Sequence, residues 1–373
     1  MRPTHLSIDV KQLQENFKQL KKLTPNPQFI CPMIKANAYG HGDVLVAKAL
    51  QEVGCEFVGV ACVEEGVHLR QQNLNCSILV FGFYGATAAA EILHHNLTPV
   101  VSNFDQIQNL SRLAKRPLAI HLKFNTGMNR LGFTHGEIVL LQEQLKKSPY
   151  LKVEGLGTHL YQGADISDAS SKSMGQVSLF KKWAGLFEDS EPICHVYNSA
   201  AITALYKNQQ NFEYGFRPGL LVYGVDPEEN LSLRPLIGPV MAFKSKIVAA
   251  QEVKSGEIVS YGGTWQAAKD SLIAIVPAGY GDGVSRSLSD VGEVLVKERR
   301  MPIRGRVCMD YTMIDISSLG FDRESALGQE VVFIGKQGDS EITVLEVARQ
   351  AGRVNYEIMT AISERVPRVL KGA

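Results

Sequence analysis

Apolar and polar positions follow two rhythms along this chain, and the change between them falls near residue 235. From about residue 12 to residue 225, short β-rich runs alternate with stretches of helical periodicity. Residues 29–35, 57–62, 77–82, 97–102, 118–124, 153–159, 195–198 and 217–223 read as strands. Between them, residues 43–53, 64–72, 104–114 and 136–147 are amphipathic, the last with Ile138, Leu141 and Leu145 on one stripe. This alternation predicts an α/β fold, an N-terminal (β/α)8 TIM-type barrel over residues 10–232. An open doubly wound sheet alternates in the same way, although no GxGxxG follows the first strand. Beyond the change, residues 240–248, 257–260, 271–276, 293–296, 301–307, 313–316 and 331–334 are short β-type runs. Turns such as GGT, GYGDG and KQGDS separate them. That texture predicts a C-terminal mostly β domain over residues 233–373, with a helix near 344–350 and a charged tail at 363–371.

Composition narrows the function. Lys plus Arg number 39 against 38 for Asp plus Glu, so nothing favours nucleic acid or a membrane surface as partner. No apolar run approaches the ~20 residues that span a bilayer. The opening MRPTHLSIDV lacks the apolar core of a secretory signal, and the six cysteines form no CxxC pair or regular framework. These features lead to the expectation of a cytoplasmic protein with reduced thiols.

The chemistry centres on KANAYGHG, which begins at Lys35. A lysine that ends a strand before a small-residue turn is placed for covalent chemistry; a strand-end charge in water is its plain alternative. A barrel carries its active site at the C-terminal ends of the strands. Arg130, His159, Ser199, Arg217 and Gly219 fall there by position, in KFNTGMNRLGF, GLGTHLY, YNSAA and FRPGLLVYG. Residues 198–201 and Gly219–Leu220 offer backbone N–H groups for a phosphate, and a lysine beside a phosphate cradle suggests pyridoxal phosphate. Each residue has an ordinary reading as well: a satisfied histidine, a paired arginine, a solvated charge, a helix cap. Tyr261, Tyr280, Met309 and Tyr356 in the β-rich part read from pattern alone as turn tyrosines and a core methionine.

Taken in order, KANAYGHG, KFNTGMNRLGF, GTHL, YNSAA, FRPGLLVYG, VSYGGTW, PAGYGDG, GRVCMD and VNYEIMTAISERVPR closely resemble the alanine racemases, fold-type III pyridoxal phosphate enzymes. The resemblance runs almost end to end. It implies a barrel plus a β domain that also takes in the N-terminal strand, 1–9. Lys35 would bind the cofactor as a Schiff base and act as base on one face of the substrate α-carbon. Tyr261, from the partner subunit of a homodimer, would act on the other face, since racemisation removes a proton from one side and returns it from the opposite side. A free tyrosine titrates at about 10, so Tyr261 needs support, and the resemblance assigns it to His159, linked in turn to Arg217. Arg217 would face the pyridine nitrogen, disfavour its protonation and leave the cofactor a weaker electron sink, favouring proton return over transamination. Tyr39, Ser199, Tyr356 and the backbone of Gly219 and Leu220 would hold the phosphate. Arg130 and the partner's Met309 would hold the substrate carboxylate. The lysine matching Lys123 is carbamylated in many members. Tyr280 and Tyr356 would narrow the entrance to suit a methyl side chain, with Arg286 and Arg306 along the corridor. No metal is implied.

One departure stands out: most relatives have Asp where this chain has Asn125, which removes a negative charge between Lys123 and Arg130. The expected function is interconversion of L- and D-alanine, supplying D-alanine for peptidoglycan. A broader racemase, a fold-type III decarboxylase and a cofactor carrier on the bare barrel are the alternatives. Decarboxylases place a carboxylate where Arg217 stands, and carriers lack the domain that brings Tyr261.

Overall fold

The computed structural model describes residues 2–25, 29–234 and 236–371. The chain divides into two compact units: Leu13–Ala38 with Asp43–Gly238, and Met1–Gln12 with Tyr39–Gly42 and Pro239–Ala373.

In the first unit, seven parallel strands pair in sequence order: Phe57–Val60, Ser77–Val80, Thr98–Val101, Leu118–Lys123, Leu151–Gly157, Ile193–Tyr197 and Gly215–Phe216. The predicted strand 29–35 is corrected. It makes only isolated bridges, Ile30 to Phe216 and Met33 to Gly59, because Pro32 in its middle has no N–H for a ladder. Those bridges still close the barrel. Cys31 N–H donates to the Phe216 carbonyl on one side (2.9 Å), and Ile34 N–H to the Gly59 carbonyl on the other (2.8 Å). The predicted strand 217–223 is corrected too: pairing ends at Phe216, and Leu220–Tyr223 is a 3₁₀ turn after Pro218-Gly219. The strands bury most of their side chains, as a parallel sheet covered by helices requires. The helix Val10–Leu23 turns Leu13, Asn16, Phe17 and Leu20 inward at helical spacing. Asn16, fully buried, donates to the carbonyls of Val222 and Gly238.

In the second unit, the N-terminal strand His5–Ile8 lies between Met241–Lys246, antiparallel, and Arg368–Leu370, parallel. Glu330–Gln337, Glu293–Val296 and Arg299–Pro302 extend that sheet. Ala249–Val253, Ser271–Val276 and Thr312–Asp315 form a second sheet, and Ile258–Val259 pairs with Trp265–Gln266 in a short hairpin. The predicted late helix is Val344–Ala351, capped by Thr343 and stopped by Gly352 at φ 63°. A second helix, Asn355–Thr360, follows it, and the charged tail ends in a strand. All six cysteines are free thiols. Among the described residues, no helix is long and apolar enough to cross a membrane.

Candidate active site

Lys35 sits at the start of an unusual turn rather than at the end of a ladder strand. Ala36, Asn37, Ala38 and Tyr39 all lie in the left-handed region, with φ between 51° and 53°. Each such non-glycine residue costs roughly 1 kcal/mol, so other contacts must hold the turn. Glu65 Oε1 accepts the Ala36 N–H (2.6 Å), and Asn37 Oδ1 accepts the Asp43 N–H (2.9 Å). Glu65 Oε2 meanwhile takes the Ala61 N–H (2.7 Å), tying the turn to the strand Phe57–Val60. Lys35 is partly buried. Burial and the nearby Arg130 charge lower its pKa against the opposing pull of Glu65, which favours the neutral amine that attacks a carbonyl.

Lys123, Thr158, His159, His195 and Arg217 line one small cavity together with Phe81. Burial and neighbouring cations lower two of the groups there. Lys123 is lowered to about 8 by burial, then by Arg130, Arg217 and Lys35. His159 is lowered to about 3 by burial and the same cations, so it is neutral near physiological pH.

Arg217, only 6% exposed, commits its terminal nitrogens fully. Nη1 donates to His195 Nδ1 (2.6 Å) and to the His195 carbonyl, while Nη2 donates to the carbonyls of Thr158 and Val196. A guanidinium has five N–H groups, so Nε–H is the one left over. Ser199 is buried, and its Oγ accepts the N–H groups of Gly219 (3.0 Å) and Leu221 (3.4 Å). The helix Ser199–Lys207 is capped by Asn198, whose side chain accepts the Ala201 N–H. The Ser199 hydroxyl and those inward N–H groups thus share a polar cup at a helix N-terminus.

Arg130 rides an exposed loop closed by the Phe124–Phe133 bridge. Asn125 Oδ1 accepts the N–H groups of Asn129 (2.9 Å) and Gly127 (3.3 Å), and its Nδ2 donates to Asn129 Oδ1 (3.1 Å). That last bond needs an amide donor at 125, which an ionised aspartate lacks.

In the second unit, Tyr261 projects from the hairpin, 72% exposed, between Ser260 at φ 66° and Gly262 at φ 72°. A Cβ at Gly262 would stand 3.2 Å from the Arg306 guanidinium, so the glycine gives that side chain room over the turn. The exposed Met309 and Tyr280 are neighbours. Tyr280 N–H donates to the Cys308 carbonyl and Gly281 N–H to the Met309 carbonyl, both at 2.9 Å. Tyr280 and Arg286 line one open cleft with the Arg353–Glu357 ion pair (3.0 Å). Tyr39 is buried against Tyr356, their ring centres 5.7 Å apart.

Across residues 8–227 the chain matches the family model described as alanine racemase, N-terminal domain, and across 240–370 the one described as alanine racemase, C-terminal domain. The chain belongs to the alanine racemase family. It is 39% identical to an alanine racemase of Halothermothrix orenii, over 99% of this chain and 97% of that one. A Bacillus anthracis alanine racemase solved with bound L-Ala-P is 30% identical, with TM-score 0.87 over 99% of this chain and 95% of that one. One from Bartonella henselae, solved with covalently bound pyridoxal phosphate, is 24% identical and shares the fold, with TM-score 0.87 over 99% of this chain and all of that one. Membership makes the chain an amino-acid racemase, an isomerase, and its barrel and β domain are those of the alanine racemases.

Several racemase residues carry no signal that sequence reading used. Glu65 props the left-handed turn. Gln176, 3% exposed, donates to Thr126 Oγ1 and the His159 carbonyl and accepts the Tyr161 N–H, joining the loops that hold Arg130 and His159. Asp282 is fully buried and binds Arg2 (2.7 Å), Arg365 (2.8 Å) and the Gly279 N–H (2.9 Å), fixing the turn beside Tyr280. Gln176 stands at a helix position and Asp282 in a glycine-rich turn, where polar residues are ordinary.

Proposed function

We propose that this chain is a pyridoxal phosphate-dependent alanine racemase with two opposed bases, acting as a cytoplasmic homodimer and supplying D-alanine for peptidoglycan. Arg217 carries the reading. With its four terminal N–H groups spent on protein acceptors, the remaining Nε–H is available to a ligand acceptor and can only donate. Such a group suits an unprotonated pyridine nitrogen and disfavours its protonation. The neutral-leaning amine of Lys35 and the polar cup around Ser199 fit the aldehyde and the phosphate of the same cofactor. Pyridoxal phosphate, when bound, would supply an electron sink that acidifies the α-hydrogen of alanine.

The residues divide the remaining work. Lys35 anchors the cofactor, and Tyr39, Ser199, Tyr356 and the backbone of Gly219 and Leu220 hold its phosphate. Arg130 and the partner subunit's Met309 N–H orient the substrate carboxylate, a planar anion suited to a guanidinium. Lys35 removes or returns the α-proton on one face, and the partner subunit's Tyr261 does so on the other. His159, kept neutral by burial and the neighbouring cations, serves Tyr261 as a hydrogen-bond partner without adding charge. Lys123 titrates low enough to offer a free amine to CO2. Forming its carbamate releases a proton and puts a negative charge beside Arg130, where Asn125 supplies none. Tyr280, Tyr356, Arg286 and Arg306 restrict the entrance to small amino acids.

The test is α-deuterium incorporation from D2O across a panel of L-amino acids. L-Alanine should exchange and yield both enantiomers, while larger side chains exchange far more slowly. Equal exchange across the panel would mark a broad racemase, CO2 release a decarboxylase, and absence of exchange a carrier.

A further inference from the structure

Two imidazoles fill the barrel interior beside Arg217. His121 and His195 are each 1% exposed. The neighbouring strand Leu151–Gly157 makes way for both: a Cβ at Gly155 would overlap the ring of His121, and one at Gly157 the ring of His195. Phe29 stacks on the His195 ring, with centres 4.9 Å apart and planes 18° from parallel. His195 Nδ1 meets Arg217 Nη1 at 2.6 Å, and its Nε2 meets His121 Nδ1 at 2.9 Å. The GLG strand, two histidines and one arginine therefore form a fitted unit.

The direction of its hydrogen bonds follows from Arg217. A guanidinium cannot accept, so His195 Nδ1 is the acceptor and His195 carries its proton on Nε2. That proton points at His121 Nδ1, which must accept in turn and leaves the His121 proton on Nε2. Burial and the Arg217 charge also press both rings towards neutrality, His121 to about 4.

We infer that His121 is a positioning residue, the end of an Arg217–His195–His121 relay that locks the tautomer of His195 and thereby the guanidinium of Arg217. The functional consequence rests on Arg217 facing the cofactor ring, as proposed above. Without an acceptor at His121, the Nε2–H of His195 is buried unpaired. Moving that proton to Nδ1 would satisfy it only by confronting an Arg217 N–H, so Arg217 loses one of its four anchors. An asparagine at 121 keeps an acceptor near the Nδ1 position, and a phenylalanine does not.

Long-range 1H–15N correlation spectra of ¹⁵N-histidine-labelled enzyme at neutral pH read the tautomers directly. Wild type and His121→Asn should hold His195 in the Nε2–H form, and His121→Phe should lose it. In parallel, His121→Phe should lower kcat about 10-fold or more and shift the cofactor absorbance, with KM for alanine little changed, while His121→Asn restores most of kcat. An Nδ1–H tautomer at His195 in the wild type overturns the relay. So does a His121→Phe protein with unchanged tautomer, kcat and absorbance. If His121→Phe does not fold, the wild-type tautomer and the His121→Asn variant decide the question alone. If the protein binds no chromophore and racemises nothing, the functional reading fails, whereas the tautomers still judge a relay built from this chain's own atoms.

Discussion

At the scale of single residues, the barrel site is a problem of crowded positive charge. Arg130 presses on Lys35, and Arg130, Arg217 and Lys35 press on Lys123, while His121, His159 and His195 are pushed neutral, and Glu65 is the carboxylate that acts on Lys35. Such a site stores instability until anions enter it, and Lys123 gives a direct measure. Its amine titrates at about 8 in the fold against 10.5 in a free lysine. Between those values the unfolded chain holds a proton that the folded chain has released. Stability from this site therefore rises as pH climbs through that window, and the cost of a buried cation is fully present below it. Lys123→Met removes the titrating group. In CO2-free buffer, wild type should gain roughly 1–3 kcal/mol relative to the variant across the window, read from urea unfolding. A difference that stays flat with pH would mean that Lys123 is not strained.

At the scale of elements, the turn after Lys35 decides where the amine points. Its left-handed residues include Ala36, which is exposed and so can be changed without disturbing packing. Glycine adopts that conformation without the steric penalty of a Cβ, so Ala36→Gly should raise stability by about 0.5–1 kcal/mol in denaturant unfolding. A loss of stability would argue that Ala36 does not hold a left-handed conformation. This turn also marks where the sequence stopped being legible. The apolar run before Lys35 correctly indicated a barrel wall, since burial on both faces writes itself as continuous hydrophobicity. Pro32 within that run was the legible sign that the wall would be reduced to two bridges. The left-handed turn of four non-glycine residues was not legible, because it depends on a distant partner, Glu65. Strand ends were legible where a chemical residue follows the apolar run, as with His159 after Gly157. They were misread where Pro218-Gly219 begins a 3₁₀ turn. His121 and His195 escaped notice because each sits inside an apolar strand, where a lone histidine carries no pattern. Their partners Gly155 and Gly157 are informative only once the strands are placed side by side.

At the scale of the whole molecule, the proposed site would draw its two bases from two chains. The β unit exposes Ile258, Tyr261, Tyr280, Met309, Tyr311 and Val354, large apolar or aromatic groups that a stable monomer seldom leaves in water together. The homodimer proposed above would cover them with a second copy of the chain, and its two-fold symmetry would give each site Lys35 from one copy and Tyr261 from the other. Genetics can test that division of labour without a structure of the complex. Lys35→Ala and Tyr261→Phe should each abolish or cripple racemisation as homodimers, since each lacks one base at both sites. Co-expressed in equal amounts, they form mixed dimers in about half of the population, and every mixed dimer has one site with both bases and one with neither. Activity should therefore return to about a quarter of the wild-type value. If Tyr261 instead served the Lys35 of its own chain, no mixed dimer would contain an intact site and co-expression would restore nothing. The recovered fraction thus separates a shared site from a self-contained one, with a dimer that forms in both cases.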